Sequence, residues 1–155
     1  MKFTTAILGA LALAMAAPGA ATAEKLSNAV TKELDRLLKV VISGDPVGPP
    51  RYGELAPGGV FRFAFEGDRK KEYYFNAICD DDCVNMDLAA FDAAGAELDI
   101  DDADDNAPVL NVQADLHESG DDAPKSHPRP MTIEVRMRAC KTEACAFGVM
   151  ITTND

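Results

Sequence analysis

From residue 60 onward the apolar residues recur with a period of two. This alternation restricts the chain to antiparallel strands that bury one face. Residues 60–65 place Phe61, Phe63 and Phe65 on one side, with Arg62 and Ala64 on the other. Residues 132–140 set Ile133, Val135 and Met137 against Glu134, Arg136 and Arg138. Shorter runs at 73–79, 86–91, 97–101, 109–114 and 145–152 bring the count to seven. Turn signals separate them, among them the charged stretch 66–71 and Asp92-Ala93-Ala94-Gly95. The pattern predicts an all-β domain over 60–155, an antiparallel jelly-roll-like β-sandwich. Residues 115–131 are polar and Pro-rich and read as a long loop.

Upstream the period changes. Across residues 25–42, Leu26, Ala29, Val30, Leu34, Leu37, Leu38 and Val41 form one stripe at three- and four-residue spacing. This predicts an N-terminal amphipathic α-helix within 24–43, with Asp35 and Lys39 as an i,i+4 pair. Ser43-Gly44-Asp45-Pro46 stops it, because a left-handed glycine followed by proline cannot continue a helix. The stripe packs on the same protein, or it docks a second copy or a partner. Residues 44–59, GDPVGPPRYGELAPGG, read as a linker.

The first 23 residues, MKFTTAILGALALAMAAPGAATA, have a basic Lys2, an apolar run at 7–17 and small residues before Glu24. They predict a cleaved signal peptide and export to the periplasm or beyond. A membrane anchor needs roughly 20 apolar residues, and Pro18 and Gly19 interrupt sooner, so no membrane insertion is expected after cleavage. No Cys follows the apolar run, which argues against lipid attachment. Cleavage leaves 132 residues, enough for one domain and its core. The whole chain carries a net charge of −11, and 72–124 contains no Lys or Arg. Such a field repels nucleic acid and anionic lipid and attracts cations or basic partners.

The stretch 79–105, CDDDCVNMDLAAFDAAGAELDIDDADD, concentrates eleven acidic residues and two of the four cysteines. On an exported chain cysteines default to disulfides. A four-thiolate zinc site is the competitor, although its ligand pairs favour C-x2-C spacing. Cys79 and Cys83, like Cys140 and Cys145, bracket a short loop between two strands. If each loop closes a hairpin, its flanking residues oppose each other within disulfide reach. Cys79–Cys83 and Cys140–Cys145 is therefore the pairing favoured among three. Reactive thiols fit poorly, since neighbouring aspartates raise a thiol's pKa.

The carboxylates suggest a hard cation such as calcium, which takes six to eight oxygens. Asp80, Asp82, Asp87, Asp99, Asp101 and Asp102 are the candidate ligands. The alternative is a solvated acidic edge that blocks edge-to-edge pairing. The stretch 102–113 fails as an EF-hand, with Ala107 at the turn glycine and Gln113 at the bidentate Glu. Asp87 stands apart: flanked by Met86 and Leu88 inside a strand, it calls for specific hydrogen bonds or a cation. Catalytic motifs are missing. His117-Glu118 begins H-E-x-x-H, but Asp121 replaces the second His. Paired carboxylates suit glycoside cleavage, yet in so acidic a chain the match carries no information.

From Tyr52 onward the order of features resembles the bacterial pre-peptidase C-terminal domain. The matching pieces are Gly53-Glu54-Leu55-Ala56-Pro57-Gly58, Tyr74-Phe75, the run from Cys79 through Asp87-Leu88, Phe91-Asp92-Ala93-Ala94-Gly95 and Asp104-Asp105-Asn106-Ala107-Pro108. The two segments around Cys140 and Cys145 match its last hairpin. The paired cysteines are similar to those of small stand-alone exported members. Pro130-Met131-Thr132 departs from the Gly-x-Tyr that usually opens the penultimate strand. The resemblance implies a jelly-roll-like sandwich, no catalytic residues, and an accessory role of binding, targeting or assisting; some related sandwiches use calcium. The expectation is a monomeric, exported, non-catalytic binding module for an unknown protein or extracellular ligand, with calcium stabilisation and a plain solvated acidic edge both open for its acidic turns. The alternative is a structural or interaction component of the cell envelope working through the helix.

Overall fold

The computed structural model describes residues 26–113 and 128–154. The expected signal peptide at 1–23, His117, His127 and most of the polar stretch after residue 113 lie outside the described residues. Among the described residues one helix, α1 (Asn28–Val41), precedes nine strands: β1 (Asp45–Pro46), β2 (Arg51–Leu55), β3 (Val60–Asp68), β4 (Tyr73–Cys79), β5 (Cys83–Asp92), β6 (Glu97–Asp101), β7 (Val109–Val112), β8 (Pro128–Cys140) and β9 (Cys145–Thr153). They form two antiparallel sheets. In one, β1 and β2 both pair with β9, which is followed by β4 and β7; in the other the order is β3-β8-β5-β6.

The pairings nest. β5 pairs with β6, β4 with β7, β3 with β8 and β2 with β9. The chain is thus one long two-stranded ribbon whose tip is the β5–β6 turn, folded over so that alternate segments fall in opposite sheets. This is the jelly roll expected from the sequence. At the tip, Asp92 Oδ1 accepts the N–H groups of Ala94 and Ala96, both at 2.8 Å, and Gly95 takes φ 83°. A side chain there would strain the left-handed turn, which is why glycine occupies it.

Three boundaries differ from expectation, the first being the loop expected over 115–131, whose last four residues, 128–131, belong to strand β8 and pair with β3. Residues 44–59 are not a linker, since β1 and β2 line the free side of β9 and Leu55 is part of the core. Pro and Gly hid these strands; a proline is tolerated on an edge strand, where its missing N–H faces away from the ladder. The charged turn begins later than residue 66, because β3 runs through Glu66 and Gly67 to Asp68 against β8.

The period-two residues meet between the sheets. Phe75, Leu88, Leu110, Ile133, Val135, Met137 and Phe147 are fully buried there. Phe61, Phe63 and Phe65 join them from β3, with Phe65 edge-on to Phe75 at 5.4 Å. β4 and β9 read as nearly continuous apolar runs because their sheet is covered twice. Its inner face meets the other sheet, and its outer face carries α1. Ser27 caps α1 by accepting the Val30 N–H, and Leu34 and Leu38, each 1% exposed, pack on Ile78 and Ala146. Burying two leucines in this way contributes about 2 kcal/mol each. The apolar stripe is thus spent on the protein's own sandwich. No helix among the described residues is long and apolar enough to cross a membrane.

Candidate functional site

Both cysteine pairs are within disulfide distance, at Cα separations of 5.9 Å for Cys79–Cys83 and 6.0 Å for Cys140–Cys145. The favoured pairing holds, but the hairpin argument for it does not. Cys79 ends β4 in one sheet and Cys83 opens β5 in the other; Cys140 and Cys145 likewise join β8 to β9 across the sandwich. The two loops are inter-sheet arches. They lie side by side, with Cys83 opposite Cys140 and Cys79 opposite Phe147.

Hydrogen bonds latch one arch to the other. The Asp80 N–H donates to the Ala146 carbonyl at 3.0 Å, and the Ala146 N–H returns to Asp80 Oδ2 at 2.8 Å. Lys141 donates its N–H to the Asp82 carbonyl and its Nζ to the Asp81 carbonyl, each at 2.7 Å. The carboxylates of Asp81 and Asp82 remain exposed.

The six candidate calcium ligands are put to separate uses. Asp80 is part of the latch. Asp87, 1% exposed, lies on the outer face of its sheet and is ion-paired to Arg138. Asp99 Oδ2 accepts the Asn111 N–H at 2.7 Å, and Asp101 Oδ2 accepts the Val109 N–H at 2.8 Å. The two aspartates, two residues apart on β6, reach two N–H groups two residues apart on β7. They bridge strands that belong to different sheets and share no ladder. Asp82 and Asp102 are exposed. Among the described residues no group of three or more His, Cys, Asp or Glu side chains is placed to hold a metal ion. The common cation site expected of these six is therefore not assembled: backbone N–H groups and arginine take the carboxylates that calcium would need.

Sequence reading missed a second buried acid. Glu134, placed on the outward side of β8, is 2% exposed because Arg62 and Arg136 both pair with it across the sheet face. Its alternation with core residues marks the face correctly but cannot show that arginines lie flat over it.

One open feature adjoins the arches. A groove of about 200 Å³ runs between α1, which contributes Val30, Glu33, Leu34 and Leu37, and the Asp80-Asp81-Asp82 turn opposite. Glu33 is held by Arg36 at 2.5 Å, and the hydrogen bond keeps its carboxyl below the usual range. Asp80 Oδ1 is buried and makes no hydrogen bond among the described residues. On the far flank of α1, the Tyr52 hydroxyl donates to Asp35. Burial, reinforced by that hydrogen bond, pushes the phenol well above its ordinary value of 10.0.

The fold and the site together define a disulfide-clipped jelly roll with a docked helix and an amphipathic acidic groove. No protein-family model matches the chain, and no curated protein is significantly similar to it.

Proposed function

We propose that the protein is an exported, non-catalytic binding module, monomeric in itself, that holds a protein ligand at the groove between α1 and the acidic arch. The groove carries the reading: it joins an apolar wall to exposed carboxylates, whereas Asp87, Asp99 and Asp101 are tied up in holding the fold. The cysteine pairs support an oxidising compartment, as export through residues 1–23 requires. The resemblance to pre-peptidase C-terminal domains supports an accessory role alongside other exported proteins. Nucleic acid is disfavoured as a ligand by the net charge of −11.

A photoreactive side chain placed at Leu37, with a control at exposed Glu66 on β3, tests this in cells of the native host. The expected result is one adduct of discrete mass from the Leu37 position alone, competed away by excess unmodified protein. Equal labelling from both positions, or none from Leu37, contradicts the reading.

A further inference from the structure

We propose that the groove accepts a basic amphipathic peptide segment of a partner protein, a Lys or Arg side chain set beside an aliphatic one; this rests on the binding-module reading above. Val30 and Leu37, seven residues apart on α1 and both partly exposed, flank the buried Leu34 and form a wall along which the methylene stem of a long cationic side chain can lie. Facing it are the exposed carboxylates of Asp81 and Asp82, where the charged head would end. The local cations do not cancel them. Arg36 is bidentate on Glu33, though Asp81 lies close enough to favour its charge, and Lys141 Nζ is bound to the Asp81 carbonyl oxygen. Asp80 also lines the groove, with its Oδ2 committed to the Ala146 N–H, so the two exposed neighbours supply the free charge. At about 200 Å³ the space is smaller than a typical small-molecule pocket and suits a side chain of an extended segment. A second copy is a poor occupant, because each chain carries a net charge of −11 and docking would bring like fields together.

Fluorescence anisotropy of the purified protein at low ionic strength tests the proposal. The probe is a labelled hexapeptide of alternating leucine and lysine, compared with versions carrying glutamate for lysine or serine for leucine. Only the leucine–lysine peptide is expected to bind, and added salt should weaken it. The D81N/D82N variant, which keeps the backbone bonds of the arch, should bind about fivefold more weakly, as two exposed charge pairs warrant. D102N neutralises an exposed acid elsewhere and should leave binding unchanged, separating a local effect from bulk charge. Binding of the glutamate peptide, or equal losses in D81N/D82N and D102N, overturns the proposal. So does a dimer in sedimentation that Leu37→Glu dissociates, since that assigns the groove to a second copy. If Leu37 cross-links in cells while the peptides show no charge preference, the basic segment is wrong and the binding module stands; if neither occurs, both fall.

Discussion

Asp99 and Asp101 act as substitutes for a β-ladder. Each presents an ionised oxygen to a backbone N–H on β7, and such charge-assisted bonds are stronger than neutral ones. Asp101→Ala removes the acceptor and leaves the Val109 N–H at an open seam, so it should cost about 2 kcal/mol. The neighbouring Asp102→Ala, at an exposed position, should stay within about 0.5 kcal/mol. Urea unfolding of the two variants checks the contrast, and equal losses would remove the bridging role. Asp87 follows a second rule. Its partner Arg138 is 52% exposed, but the carboxylate itself is buried. Arg138→Ala should therefore destabilise by about 2 kcal/mol, and Asp87→Asn in that background should recover part of the loss by removing the stranded charge. Asp87 was legible in the sequence, because a charge between Met86 and Leu88 needs an explanation. Asp99 and Asp101 were legible only as acids. Their partners lie a loop away on another strand, and composition alone cannot tell a carboxylate awaiting a cation from one already bound to backbone.

At the scale of the element, α1 is fixed by its seat as much as by its stripe. Gly148 on β9 lies beneath it, and a Cβ there would sit 3.1 Å from both Leu38 Cδ1 and the Tyr52 ring. Gly148→Ala should lift the helix enough to cost about 1 kcal/mol, read as faster hydrogen exchange in α1 with β4 and β9 unchanged. Tyr52 adds a pH dependence. Its folded-state pKa is raised above the unfolded value, so its contribution is complete below pH 10.0 and is lost as pH climbs from there toward the folded value. Tyr52→Phe should forfeit about 1 kcal/mol at neutral pH and show a shallower alkaline decline than the parent. Tyr74, also raised, titrates in both proteins, so the difference between the two curves isolates Tyr52. A parallel decline would show that the phenol does not contribute. The helix and its apolar stripe were readable from periodicity, and their seat was not. β1 and β2 hid behind prolines and glycines, and Gly148 looked like any other residue in an apolar run.

At the scale of the molecule, the alternation revealed the sandwich but not which turns stay within a sheet. A hairpin and an inter-sheet arch both join two alternating runs through a few polar residues; only the nested pairing distinguishes them, and that depends on contacts far apart in sequence. The same distinction governs the outer face of the β4–β9 sheet. A sandwich whose outer face is polar survives without a helix. Here Ile78, Ala146 and partly buried Met150 and Tyr52 face α1, so removing the helix uncovers a contiguous apolar patch. Patches of that kind drive association. Deleting residues 24–43 from the chain lacking its first 23 residues should therefore raise the mass measured by light scattering, from a monomer to dimers or larger species. A helix whose stripe served to join copies would give the reverse, an oligomer that falls to monomer on deletion. Leu34 and Leu38 are buried within one chain, which favours the first outcome. An unchanged monomer would show instead that the sheet tolerates exposure of this face.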